Sequence, residues 1–194
     1  MAREAAAARP EPRVLAVELL RSRGADRIPH VGGDLLSHLI ATSALLGACG
    51  CSTSVVLAGL CHACYGTDGF PHPLLDLSER SVLEAAIGPD AEGIVYFYAS
   101  CDRSFFHPAI GRRRQLRFRD RFTKEIHAPA PAMVRQFIDL TFANELEIAH
   151  RNPSFLERSR APLAELFSRC EGLVSDRLSD CFLQTFGRAD ARTG

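Results

Sequence analysis

The chain has 194 residues, with 23 Lys+Arg balanced by 23 Asp+Glu, so its formal net charge is zero. That balance excludes a global electrostatic pull toward nucleic acid or an anionic membrane surface, and the length suits one domain with a substantial core. No apolar run is long enough to span a bilayer, and the opening "MAREAAAARPEPR" lacks the apolar region of a signal peptide. A cytoplasmic address is therefore expected, with neither nucleic acid nor membrane as a partner.

Residues 1–12 read as a disordered lead-in, 13–188 as a single helical domain and 189–194 as a frayed end. "RVLAVELLRSRG" has apolar positions at helical spacing and stops at Gly24, predicting a first helix over about 13–23. "IPHVGG" reads as a loop, after which Asp34 can cap "DLLSHLIATSALLGACG". "STSVVLAGLCHACYG" opens with Ser/Thr capping options, and both segments are almost wholly apolar. They predict two central helices, antiparallel because only the short turn at Gly50–Ser52 joins them. Further helices are expected from Ser78 to about "IGP", over "DAEGIVYFYASC", over "PAPAMVRQFIDLTFANELEIAHR", and near 160–170 and 173–187. Residues 112–128 alternate only in part, which predicts a short hairpin or ordered loop. The sum is an all-α bundle of about seven helices.

Seven cysteines, Cys49, Cys51, Cys61, Cys64, Cys101, Cys170 and Cys181, occur mostly in apolar helical context. Cys49-x-Cys51 and Cys61-x-x-Cys64 could offer four thiolates to zinc. The two pairs, however, lie at opposite ends of one helix roughly 15 Å long, too far apart for one tetrahedral site. The thiols read as packing residues, and a disulfide framework is not expected.

The histidines carry more. His38 lies in one apolar helix and His62 near the end of the next, roughly equidistant from the turn between them, so an antiparallel pair brings them together. Two buried imidazoles are costly unless each finds a partner, and Asp34, four residues before His38, is placed to orient it. Imidazole is able to titrate near neutrality, which makes both residues candidate general acid and base. Beyond His62 the turn holds Tyr65, Thr67 and Asp68, a phenol, a hydroxyl and a carboxylate able to meet at a pocket mouth. The alternative is that they cap the helix and shape the turn. The run Arg112, Arg113, Arg114, Arg117, Arg119 and Arg121 is the strongest basic cluster. It reads as a solvated face paired with acids, or as a clamp for an anionic substrate.

"LLSHL", followed 24 residues later by "AGLCH" and then by "YGT" and "FANELE", resembles a divergent, poorly characterised branch of the HD-domain superfamily over about residues 30–150. The resemblance implies an HD-like helical bundle with a pocket between the helices that carry His38, His62 and Asn144. In that superfamily a His-Asp doublet and a later helical Asp complete a metal site. Here these positions are His62-Ala63 and Asn144, so two anionic ligands are replaced and most of the charge compensation for a divalent ion is lost. His107, Asp139 and Asp68 are the available substitutes. With Asn144 facing inward, Glu145 and Glu147 are expected to point elsewhere, toward solvent or arginines.

The function expected is that of a small-molecule enzyme with a degenerate HD-type pocket. It would perform acid–base or weakly metal-assisted hydrolysis, elimination or isomerisation on a small polar or anionic metabolite. Catalysis is assigned to His38, His62, Tyr65 and Asp68, and substrate binding to Asp34, Thr67, Asn144 and His107. The cofactor is either none or a single divalent metal on His38 and His62. Two alternatives stand beside it: a true metal-dependent hydrolase or iron-dependent oxygenase with recruited ligands, and a non-catalytic ligand-binding or interaction module. A homodimer through the apolar closing helices is compatible with the pattern.

Overall fold

The structure, a computed structural model, describes residues 10–112 and 115–187. The expectations for 1–9 and 188–194, and those for Arg113 and Arg114, lie outside the described residues. The described chain is predominantly α-helical, with two small two-stranded hairpins.

Helix α1 (Pro12–Ser22) starts on a proline, which suits the first helical position because its missing N–H would lack a partner there anyway. The strands β1 (Pro29–His30) and β2 (Gly33–Asp34) pair antiparallel and lead into α2 (Leu35–Ala48). Asp34 caps α2, as expected: its Oδ1 accepts from the Ser37 N–H at 2.9 Å and its Oδ2 from the Ser37 hydroxyl at 2.7 Å. A left-handed Gly50 (φ 77°) turns the chain, and α3 (Thr53–Cys61) returns, capped by Ser52. The two helices pack as the expected antiparallel pair, and the Ser43 hydroxyl crosses to the Val56 carbonyl at 2.9 Å. Their close approach depends on Gly59, where an added Cβ would collide with the Leu46 side chain and lie 3.5 Å from the Ser43 Cα.

Helices α4 (Arg80–Ile87) and α5 (Pro89–Ser100) follow, with α5 packed on α3. Glu92 of α5 is buried and takes three donors, Arg80 Nε and Nη2, each at 2.7 Å, and the Tyr65 hydroxyl at 2.9 Å. After the one-turn α6 (Arg103–Phe106), β3 (Phe118–Arg119) and β4 (Ile126–His127) form the hairpin expected near 112–128. The long α7 (Pro131–Arg151) packs across α2, α3 and α5. Its two halves meet separate aromatic clusters, Phe137 with Phe97, Phe106 and Phe118, and Phe142 with Phe167 and Phe182.

The helices α8 (Pro153–Arg169) and α9 (Asp176–Phe186) complete nine α-helices among the described residues, against the seven or so expected. The one-turn α6 is too short to give periodicity. Helix α8 starts seven residues before the expected 160, because Asn152 caps it, accepting from the Phe155 N–H at 3.0 Å, and Pro153 occupies its first turn. The apolar residues of these closing helices, Leu166, Phe167, Phe182 and Phe186, are buried within the chain itself. Among the described residues no helix is long and apolar enough to cross a membrane.

Filling the α2–α3 contact tests its tightness. Gly59→Val should destabilise the chain by about 1–3 kcal/mol through overpacking, read as a lower urea midpoint at unchanged m-value. An unchanged midpoint would show that the helices can separate without cost.

Candidate functional site

A cavity of about 520 Å³ opens where α2, the end of α3, α5, the start of α6 and the middle of α7 converge under the β1–β2 hairpin. Its polar wall is built from His30, His38, His62, Arg103, Asn144 and Glu145, while Val31, Leu35, Phe70, Ile148 and Phe155 supply much of the apolar surface.

His38 and His62 meet as expected, with ring centroids 5.2 Å apart and planes at 82°. His38 lies in the first turn of α2 and is held from α7. Its Nδ1 pairs with the buried Glu147 carboxylate and its Nε2 with Asn144 Oδ1 at 3.1 Å. His62 stands where α3 ends, a place where helical carbonyls lack backbone donors. Its Nδ1 bonds the Gly59 carbonyl at 2.8 Å. A carbonyl only accepts, so Nδ1 carries the proton and Nε2 of the neutral ring holds a lone pair. No described residue hydrogen-bonds to that Nε2.

Burial, reinforced by His38, pushes the His62 pKa down to about 3. His30, in the loop-like hairpin, stacks on His38 at 4.2 Å and 24°. Burial, again with His38, lowers its pKa to about 4, and its Nδ1 is buried without a partner. Burial acts in the opposite sense on acids, raising the Glu145 carboxyl and the Tyr98 phenol, the latter to about 12. Near neutral pH the His30 and His62 rings are thus neutral, and burial holds the Glu145 carboxyl above its ordinary range.

Several expected site residues sit elsewhere. Asp34 is consumed by the Ser37 cap, and Glu147 and Asn144, not Asp34, orient His38. Tyr65 is buried with its hydroxyl on Glu92, and burial raises its pKa, so it offers no phenol at the mouth. Asp68 is exposed and accepts the backbone N–H of Arg103 at 3.0 Å. His107 packs against Phe137, 5.9 Å between rings, outside the cavity lining. Thr67 does line the cavity, in a turn where Gly66 (φ 66°) lets residues 67 and 70 pair through their backbones. Asn144 also lines it.

The expectation for the acids of α7 is corrected. Glu147 follows Asn144 by three residues, which returns it to nearly the same helix face, so it reaches His38 and also pairs with Arg151. Glu145 lines the cavity and accepts from the Asn144 amide at 3.3 Å. Among the arginines of the basic run, Arg112 pairs with Glu165 at 2.6 Å and Arg119 with Asp102 at 2.7 Å, while Arg121 reaches the Ala99 carbonyl at 2.6 Å. None of the described ones lines the cavity. Arg103, outside that run, does. The seven cysteines are free thiols, most of them buried in the core.

For a divalent metal the donor set is incomplete. Both His38 nitrogens are engaged, and Asp139, a possible substitute ligand, accepts from the Ser175 N–H at 2.9 Å. With Asp68 and His107 also directed away, no group of three His, Cys, Asp or Glu among the described residues is placed to hold an ion.

The depressed histidines set a pH dependence. Because their folded pKa values lie below the ordinary 6.5, the unfolded chain binds more protons between about pH 4 and 6.5. The stability gained from keeping them neutral is complete above that window and is lost as pH falls through it. Glu145, raised by burial, acts in the opposite sense, its share being lost as pH rises from its ordinary value. Urea unfolding from about pH 7 to 5 should show falling stability, with His62 contributing up to about 1.4 kcal/mol per pH unit. The slope should be shallower in His62→Gln; equal slopes would overturn this charge assignment.

No curated protein matches the chain. Residues 19–103, which contribute His30, His38, His62 and Arg103 to the cavity but none of its α7 residues, are similar to the family described as a domain of unknown function, DUF6817.

Proposed function

We propose that the chain is a small-molecule enzyme whose cavity moves protons, on a divergent HD-type scaffold. The observation that carries the reading is His62: a buried neutral imidazole, its Nδ1 proton fixed on the Gly59 carbonyl, with an unshared Nε2 lone pair on a cavity of ligand size. Glu145 on the same wall has its pKa displaced in the opposite direction. Such opposed environments assign a base and an acid. His62 accepts the proton and Glu145 returns one.

His38, bonded through both nitrogens, positions the cluster instead of exchanging protons. Proton removal from carbon begins an elimination or isomerisation, and removal from a bound water begins a hydrolysis; His62 can start either. His62 is thus the base, and the acid role falls to Glu145, because Tyr65 and Asp68 are engaged elsewhere.

A defined library of small acids, esters and amides incubated with the protein in D₂O, followed by mass spectrometry, tests the proposal. Deuterium incorporation or product formation is expected with wild type. For the substrate so found, His62→Gln and Glu145→Gln should each lower kcat by about 10²–10⁴-fold. Ligands that bind but are neither exchanged nor converted would replace the enzyme reading with that of a binding module. Full activity in His62→Gln would overturn the role of His62.

A further inference from the structure

The cationic groups around the cavity differ in one respect. Arg151 is paired with Glu147, Arg80 with Glu92 and Arg119 with Asp102. Arg103, on the cavity wall and only partly exposed, has no carboxylate within ion-pair distance among the described residues. Its side chain makes one hydrogen bond, from Nη2 to the Tyr98 hydroxyl at 3.1 Å, and the guanidinium carbon lies 5.3 Å from the Tyr98 ring centre. A guanidinium has five N–H donors in a planar fork, so most of this one's capacity is unused. Asp68, close by, is occupied by the Arg103 backbone N–H.

A guanidinium without an ion-pair partner, on a cavity with one apolar side, is a receptor for a planar oxyanion, which it grips with two parallel hydrogen bonds. Charge count selects among oxyanions. Arg103 supplies one positive charge, and the charge of Glu147 is already paired with Arg151. A dianionic phosphate ester exceeds the single positive charge of Arg103, whereas one carboxylate balances it. The apolar side of the lining, Val31, Leu35, Phe70, Ile148 and Phe155, offers contact to a hydrocarbon body.

We infer that the cavity binds an apolar monocarboxylic acid, its carboxylate held by the fork of Arg103 and its body packed among Phe70, Ile148 and Phe155. The inference rests on the reading of this cavity as the substrate site and names the substrate class. Arg103 is then the residue that determines specificity, and Tyr98 holds its guanidinium in place.

Ligand-observed NMR and calorimetry with benzoate, phenylacetate and hexanoate as probes test it, against phenylacetamide and phenyl phosphate. At least one carboxylate should bind in the millimolar range or tighter, with the neutral amide and the phosphate each at least tenfold weaker. Arg103→Met should weaken carboxylate binding at least tenfold, and Arg103→Lys, which keeps the charge but not the fork, should fall between. Circular dichroism of both variants checks that they fold, and the wild-type probe ranking stands independently of them. Amide or phosphate binding as tight as carboxylate binding would overturn the inference, as would equal binding by folded Arg103→Met or no binding by any carboxylate. Carboxylate binding that depends on Arg103 but is never followed by exchange or turnover would leave this inference standing and remove the catalytic one.

Discussion

The cavity depends on the anchoring of His38 by α7. Glu147 and Asn144 take its two ring nitrogens, and Glu147 in turn pairs with Arg151. Arg151 donates onward to the carbonyls of Gly32, at 3.5 Å, and Ser37, at 3.3 Å. The last two turns of α7 therefore hold the start of α2 and the hairpin before it. A buried carboxylate is tolerated only when its charge is compensated and its lone pairs are bonded. Here the Arg151 guanidinium compensates the charge and the His38 ring bonds one oxygen, and the same contacts set the position of the cavity roof.

Around that anchored group the remaining polar residues divide into satisfied and unsatisfied. Tyr65, Glu92 and Arg80 close on one another, as do Asp34 with Ser37 and Asp139 with Ser175. These residues shape and stiffen the protein, and their polar capacity is spent on it. The lone pair of His62, the buried Nδ1 of His30 and the fork of Arg103 are not spent in this way. All three belong to residues lining one cavity, whereas Thr42 Oγ1 and His107 Nε2, also buried without partners, lie outside it. Leaving buried polar groups without partners costs stability, and a ligand that supplies the partners recovers it.

Helical order was legible because it rests on short-range rules. The apolar spacing of α1, the Asp34 and Ser52 caps and the proline opening of α7 each act within one or two turns. The meeting of His38 and His62 was legible too, since a short turn between two apolar helices leaves few ways to pack them. The roles of Glu145 and Glu147 were not foreseen by treating them as neighbours of an inward Asn144. Helical geometry contained part of the signal, because a residue three positions on returns to the same face. His30 was obscured by its loop setting, and Arg103 by the denser arginine run that follows it.

By itself the sequence determined the helical class, the α2–α3 pair and the encounter of its two histidines, since periodicity, caps and a tight turn are local properties. Only the tertiary structure decided which polar groups satisfy one another and which remain open to a ligand. Glu147 lies 109 residues from His38, and Arg103 comes from a helix too short to announce itself. Which partner a buried polar group finds depends on contacts between distant segments, and no local pattern encodes that choice. The same side chains at the same positions could be core ballast or a binding site; three-dimensional hydrogen-bond satisfaction distinguishes the two.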